Sequence, residues 1–195
     1  LYSTAMSRDS VELAATVLHE IAHNTLYVKS ATPFNESFAQ LAGYRAAEVF
    51  FRRRGSDAAA TYAADRWHDE VILAGYYTEL AARLDTLYRT VTDSVAVDSG
   101  RAAQGRWARE QLEGSVGRQL RTYTIGPMAD RPINNARLVA ARIYRDRLDL
   151  LERWYQHEGG DIQKAVADLA ELLQGAEGDS AFARLETALE VRSKE

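Results

Sequence analysis

Apolar residues in this chain recur three and four positions apart almost from end to end, and that periodicity admits little besides helices. Trp67, Val71, Ala74, Leu80, Leu84 and Leu87 follow it over six turns. No hairpin pattern stands out; Tyr123-Thr124-Ile125 reads at most as a short extended piece. Asp9 and Glu12 form a capping box that opens a first helix running to about Tyr27. After a turn over Lys29 to Pro33, a second helix starts near Asn35 and stops at Gly55. A third spans Asp57 to about Val95, with Gly75 as a candidate break. Ser99-Gly100 interrupts the pattern, and a fourth covers roughly Ala102 to Thr122. Thr124 to Pro132 is a loop. A fifth helix follows Asn134-Asn135 and ends before Gly159-Gly160. Asp161 caps a short helix to about Gln174, and Gly178-Asp179-Ser180 starts the last. The expected fold class is mainly α.

At 195 residues the chain can bury a substantial core. Its net charge of −4, without a basic face, argues against nucleic-acid binding. The run Arg52-Arg53-Arg54 suits a solvated helix end, where cations meet the negative pole of the helix. With no cysteine, thiolate chemistry, Cys-ligated zinc and disulfides are excluded. No apolar stretch approaches the ~20 residues that span a bilayer. No signal peptide is visible, but the chain opens on Leu1 and targeting stays open.

The chemistry is concentrated in His19-Glu20-Ile21-Ala22-His23, an HExxH motif on the first helix. Residues four apart share a helix face with Cβ atoms about 5–6 Å apart, so both imidazoles can reach one Zn²⁺. Glu20 lies beside them and can take a proton from an attacking water. Leu13, Val17, Leu18, Ile21 and Thr25 form the expected apolar arc. His19 and His23 point nearly opposite, toward solvent or a cleft. A catalytic zinc keeps three protein ligands and one open position, and Glu36, with twelve residues between it and His23, supplies the third. Those residues suffice to end one helix, turn and return antiparallel. Ala39, Gly43, Ala46 and Ala47 form a small-residue stripe on the Glu36 side that allows close approach. The helix dipole alone would also favour a glutamate at that position.

HEIAH followed by FNESFAQLAG resembles the gluzincin zinc peptidases, whose pattern is HExxH and then NE-small-FA on the next helix. The longer match, HEIAHNTLYV…TPFNESFAQLAG with Pro132 to Leu138 and Tyr144 beyond, resembles a bacterial family described as predicted aminopeptidases. The resemblance implies a helical zincin-type catalytic domain over residues 1–160, a C-terminal helical appendage of the same domain over 161–195, and any upstream β-sheet outside this chain. It implies one Zn²⁺ per chain, a peptide substrate, and a cell-envelope or periplasmic setting. Two features of related enzymes have no counterpart here: an upstream edge strand and a GAMEN-like segment for the free amino terminus. "Aminopeptidase" therefore rests on the family, whereas "metallopeptidase" rests on residues. Where thermolysin-like relatives carry an Asp one turn after the ligand glutamate, this chain has Gln40; Glu48 is another candidate to orient an imidazole.

The tetrahedral oxyanion of peptide hydrolysis benefits from a second donor, and Tyr123, Tyr144, His68 and His157 are candidates. Tyr144 is the one the resemblance favours, although Ala140, Ala141, Leu148 and Leu151 on its helix face also suit a core tyrosine. Of Asn134 and Asn135, one suits a helix N-cap and the other can bind substrate backbone. The expected function is zinc-dependent peptide hydrolysis with Glu20 as general base. The alternative is a helical scaffold that keeps a zinc site without peptidase activity, and a third reading is hydrolysis of a non-peptide amide.

Overall fold

A computed structural model describes residues 10–132 and 134–192. Asp9 of the expected capping box and Ile133 lie outside them. The described chain is mainly α: α1 (Ser10–Thr25), α2 (Thr32–Arg53), α3 (Asp57–Thr90), α4 (Ser94–Glu113), α5 (Ile125–Ala129), α6 (Asn135–Tyr144), α7 (Leu148–His157), α8 (Ile162–Leu172) and α9 (Ser180–Arg192). A single 3-10 turn at Gly117–Gln119 follows α4. Among the described residues extended pairing is limited to one isolated bridge, Lys29 to Glu177, and no helix is long and apolar enough to cross a membrane. Tyr123-Thr124-Ile125 is not a strand, because Ile125 already begins α5.

Two apolar cores share one spine. The first gathers α1, α2, the N-terminal half of α3 and α7 to α9 around Phe34, Phe38, Trp67, Leu151, Trp154 and Leu185. The second lies between the C-terminal half of α3, α4 and α5, around Leu73, Tyr76, Leu80, Leu84 and Leu112. At 34 residues α3 is about 51 Å long at 1.5 Å per residue, enough to serve both. Gly75 does not break it. Ile162, Leu169 and Leu185, from the last ~35 residues, sit in the first core with Phe34 and not in one of their own.

Two expected boundaries move for packing reasons. Asp93 caps α4 by accepting from the Ala96 N–H at 2.8 Å, so the helix starts before Ser99-Gly100 and runs through them. Gly100 lies against α3: a Cβ would lie 2.4 Å from Leu87 Cδ1, the tip of a side chain that can turn aside. The fifth expected helix is two, α6 and α7, separated at Arg145 to Arg147. Arg147 takes φ +51°, and half-buried Arg145 turns its Nε to buried Glu70 Oε2 at 2.6 Å. Glu12 also has partners on α2 and α3. Its carboxylate holds Arg66 Nε at 2.7 Å and accepts from the Tyr44 hydroxyl at 3.0 Å.

Candidate metal centre

The site is built on the α1–α2 hairpin. Glu12 meets Tyr44, Ala15 meets Gly43 and His23 meets Glu36, so position numbers on the two helices run in opposite directions and the pair is antiparallel. Gly43 sets the separation: a Cβ there would lie 2.7 Å from the Ala15 carbonyl oxygen and 3.2 Å from His19 Cβ. Ala39 and Ala47 continue that stripe and are fully buried. The apolar arc expected on α1 is not what packs. Val17 and Ile21 are 48% and 54% exposed, while Val11, Ala15 and Ala22 are buried. Small residues allow the closest seam, so packing follows Ala15 and Ala22, and the histidines flank that seam instead of opposing it.

The turn between the helices is clamped by a residue that the spacing argument passed over. Buried Asn35 accepts from the Val28 N–H at 2.9 Å and donates to the Val28 carbonyl at 2.8 Å. Both backbone groups of Val28 are thereby satisfied without regular structure, and the residue after Asn35, Glu36, is fixed in place. A segment seven residues earlier supplies the partner, which is why an Asn at a helix start gives no such signal in sequence.

His19, His23 and Glu36 converge from the two helices. Each offers one ligand atom within 4.8 Å of the others. His19 Nε2 lies 3.3 Å from Glu36 Oε2, and His23 Nε2 lies 3.7 Å from Glu36 Oε1. Tetrahedral ligands at 2.0–2.1 Å from a zinc ion stand about 3.3–3.4 Å apart, so the donor set suits such an ion in chemistry and spacing. The two rings stand edge to face, 4.9 Å between centroids. Burial first, and His23 second, pull the His19 pKa below the usual imidazole range, against the opposing pull of Glu36 and Glu20. A neutral ring is the form that coordinates a metal.

Glu20 stands on the exposed side of α1 beside His19, and its carboxylate makes no hydrogen bond or ion pair among the described residues. Glu48 is not available to orient an imidazole, because Arg45 and Arg52 hold its two oxygens at 3.1 and 2.7 Å. Gln40 makes no side-chain hydrogen bond and instead lines a cleft of about 1040 Å³. The cleft is lined mainly by α3, α4, α5 and α6, with Gln40 its one residue from α2; His19, Glu20, His23 and Glu36 are not in its lining.

Tyr144 lines this cleft, 42% exposed and without a hydroxyl partner among the described residues, so it is not a core tyrosine. Tyr123 lines it too, but its hydroxyl donates to buried Glu70 at 2.5 Å. Burial and the Glu70 charge push its pKa up to about 12, so the hydroxyl stays protonated on Glu70. Asn134 is the N-cap of α6, its oxygen accepting from Ala136 and Arg137 N–H at 2.9 and 3.4 Å, and it borders the cleft. Asn135 accepts from the Tyr88 hydroxyl at 3.3 Å and is not in the lining. His68 contacts the Gln119 carbonyl oxygen and His157 sits beside Glu158, both apart from the three donors.

Around this site runs a buried polar framework. Glu70 receives Tyr123 and Arg145, Arg66 reaches Glu12, and Asp69 accepts from Arg121 N–H, Thr122 N–H and the Thr122 hydroxyl. It ties α1 to α3, and α3 to the 121–123 loop and the α6–α7 break; α3, the loop and Arg145 of the break contribute to the wall of the cleft.

No curated protein and no solved structure matches this chain. A family model described as "Putative aminopeptidase" matches residues 1–182. That span includes the helical hairpin, the cleft and all the candidate residues above, and the chain belongs to that aminopeptidase family, with a peptidase-type function at that level of description.

Proposed function

We propose that this chain is a zinc-dependent metallopeptidase of the HExxH type, acting as an aminopeptidase, with His19, His23 and Glu36 as the metal ligands. The observation that carries the reading is the meeting of two imidazoles and a carboxylate from two helices beside a glutamate with no partner among the described residues. A zinc ion supplies Lewis acidity, polarising a carbonyl and easing the deprotonation of water. Glu20 accepts the proton of the attacking water at its carboxylate and passes it to the leaving amine nitrogen. Tyr144 offers its unpaired hydroxyl to the carbonyl oxygen as negative charge develops there. Asn134, with its oxygen committed to the α6 cap, has amide N–H groups left for the peptide backbone. A purely structural zinc site would close its fourth position and need no base, and the unengaged carboxylate of Glu20 speaks against that reading.

Metal analysis of the purified protein tests the proposal, together with hydrolysis of peptides bearing free or blocked amino termini. One equivalent of zinc is expected, lost in His19→Ala and His23→Ala, with cleavage confined to free amino termini. Wild-type protein without tightly held zinc would end the metallopeptidase reading. Equal cleavage of blocked peptides would end only the aminopeptidase part.

A further inference from the structure

The large cleft carries a charge pattern opposite to that of the chain. The protein has a net charge of −4, yet the cleft is lined by five arginines and one acid, Asp130. Two of the five are neutralised within the fold: Arg145 by Glu70 at 2.6 Å, and Arg109 by Asp130 at 2.8 Å and Glu113 at 3.5 Å. The other three have no partner among the described residues. They come from separate elements, Arg106 from α4, Arg131 from the segment between α5 and α6, and Arg137 from α6, and all are exposed. Arg106 lines the cleft without pairing with Glu110, one turn along its own helix. Arginines elsewhere on α3 do pair this way, as Arg83 with Glu79 and Arg89 with Asp85.

Unpaired cations around a concavity repel one another and raise the local concentration of anions. Guanidinium groups match carboxylates in a planar, two-point geometry. Beneath them the cleft has an apolar and aromatic floor, including Leu73, Tyr76 and Leu80. Such a floor suits side chains of a peptide better than a bare inorganic anion. We propose that this cleft selects peptides bearing carboxylates, on acidic side chains or at the carboxyl terminus, through Arg106, Arg131 and Arg137. The inference rests on the peptidase reading above for the nature of the ligand, and it adds the substrate class. Gln40, one turn along α2 from Glu36, is the lining residue nearest in sequence to the three donors.

The test uses matched peptides: Glu against Gln at one internal position, and free acid against amide at the carboxyl terminus. For wild type at low salt, the charged member of at least one pair is expected to have roughly a tenfold higher kcat/KM. Whichever pair shows it identifies the carboxylate recognised. The ratio should shrink toward unity in 1 M salt, where charges are screened beyond about 3 Å. It should also shrink in Arg106→Gln and in the double variant Arg131→Gln/Arg137→Gln. Binding of the same peptides to Glu20→Gln, followed by fluorescence anisotropy, reads the preference without turnover. If wild type cleaves both members of both pairs equally, the inference falls and the peptidase reading stands. If no peptide is cleaved but charged ones bind more tightly and salt abolishes the difference, the peptidase reading falls and the cleft's preference stands. Should an arginine variant fail to fold by circular dichroism, the wild-type ratios and their salt dependence decide the matter alone.

Discussion

Glu20 differs from the acids around it in having no partner among the described residues. Glu12, Glu36, Glu48 and Glu70 all face a cation or an imidazole. An unengaged carboxylate beside a metal-binding pair is free to move a proton. Glutamine keeps its size but cannot accept one. Glu20→Gln is therefore expected to retain fold and zinc while losing on the order of 10²–10⁴ in hydrolysis rate, the range for removal of a general base. Steady-state rates with metal content measured on the same sample check this, and a Gln variant at wild-type speed would remove Glu20 from the chemistry. At this scale the sequence was informative where chemistry follows spacing along one helix, as for His19 and His23. It was silent where a role depends on a distant partner. Asn35 clamps Val28, Tyr123 is engaged by Glu70 and Tyr144 is not, and none of these follows from local pattern.

The α1–α2 hairpin is the element on which the candidate centre depends, and its close approach rests on one missing methyl group. A side chain at position 43 meets the Ala15 backbone, which cannot swing aside as a flexible side chain would. Gly43→Val should destabilise the protein by about 1–3 kcal/mol through overpacking. It should also weaken zinc binding by parting the imidazoles from Glu36. Urea denaturation of the metal-free protein and a zinc titration measure the two effects; an unchanged midpoint and affinity would mean that the seam is loose. The helices themselves were legible, since periodicity and capping residues act locally. The stripe of small residues was legible as a route to close packing. The seam on α1 was not, because hydrophobicity favoured Val17 and Ile21 whereas proximity favoured Ala15 and Ala22. The α6–α7 break had no glycine or proline to announce it, and the pairing of Arg145 with buried Glu70 coincides with it. Gly100, read as a breaker, lies inside α4 against Leu87 of α3.

Across the whole molecule, the C-terminal helices support the N-terminal hairpin from behind. Phe182 of α9 packs edge to face on Phe34 of α2, 5.2 Å between centroids, two residues before Glu36. The Gly178 N–H donates to the Lys29 carbonyl at 2.8 Å, holding the turn itself. Removing the Phe182 ring leaves a cavity under the start of α2. Phe182→Ala should cost about 3–5 kcal/mol, and zinc affinity should drop although the ring is not a ligand. Thermal unfolding with and without zinc is the measurement; a loss of stability with unaltered affinity would show that the hairpin is rigid on its own. A vectorially synthesised chain gives this arrangement an order in time. The ribosome makes Glu36 about 146 residues before Phe182, an interval of roughly 7–30 s at 5–20 residues per second. Throughout that interval the hairpin exists without its backing, so on the metallopeptidase reading proposed above secure capture of an ion is expected only at the end of synthesis. A chain truncated ahead of α9 would carry all three donors and still hold the metal poorly.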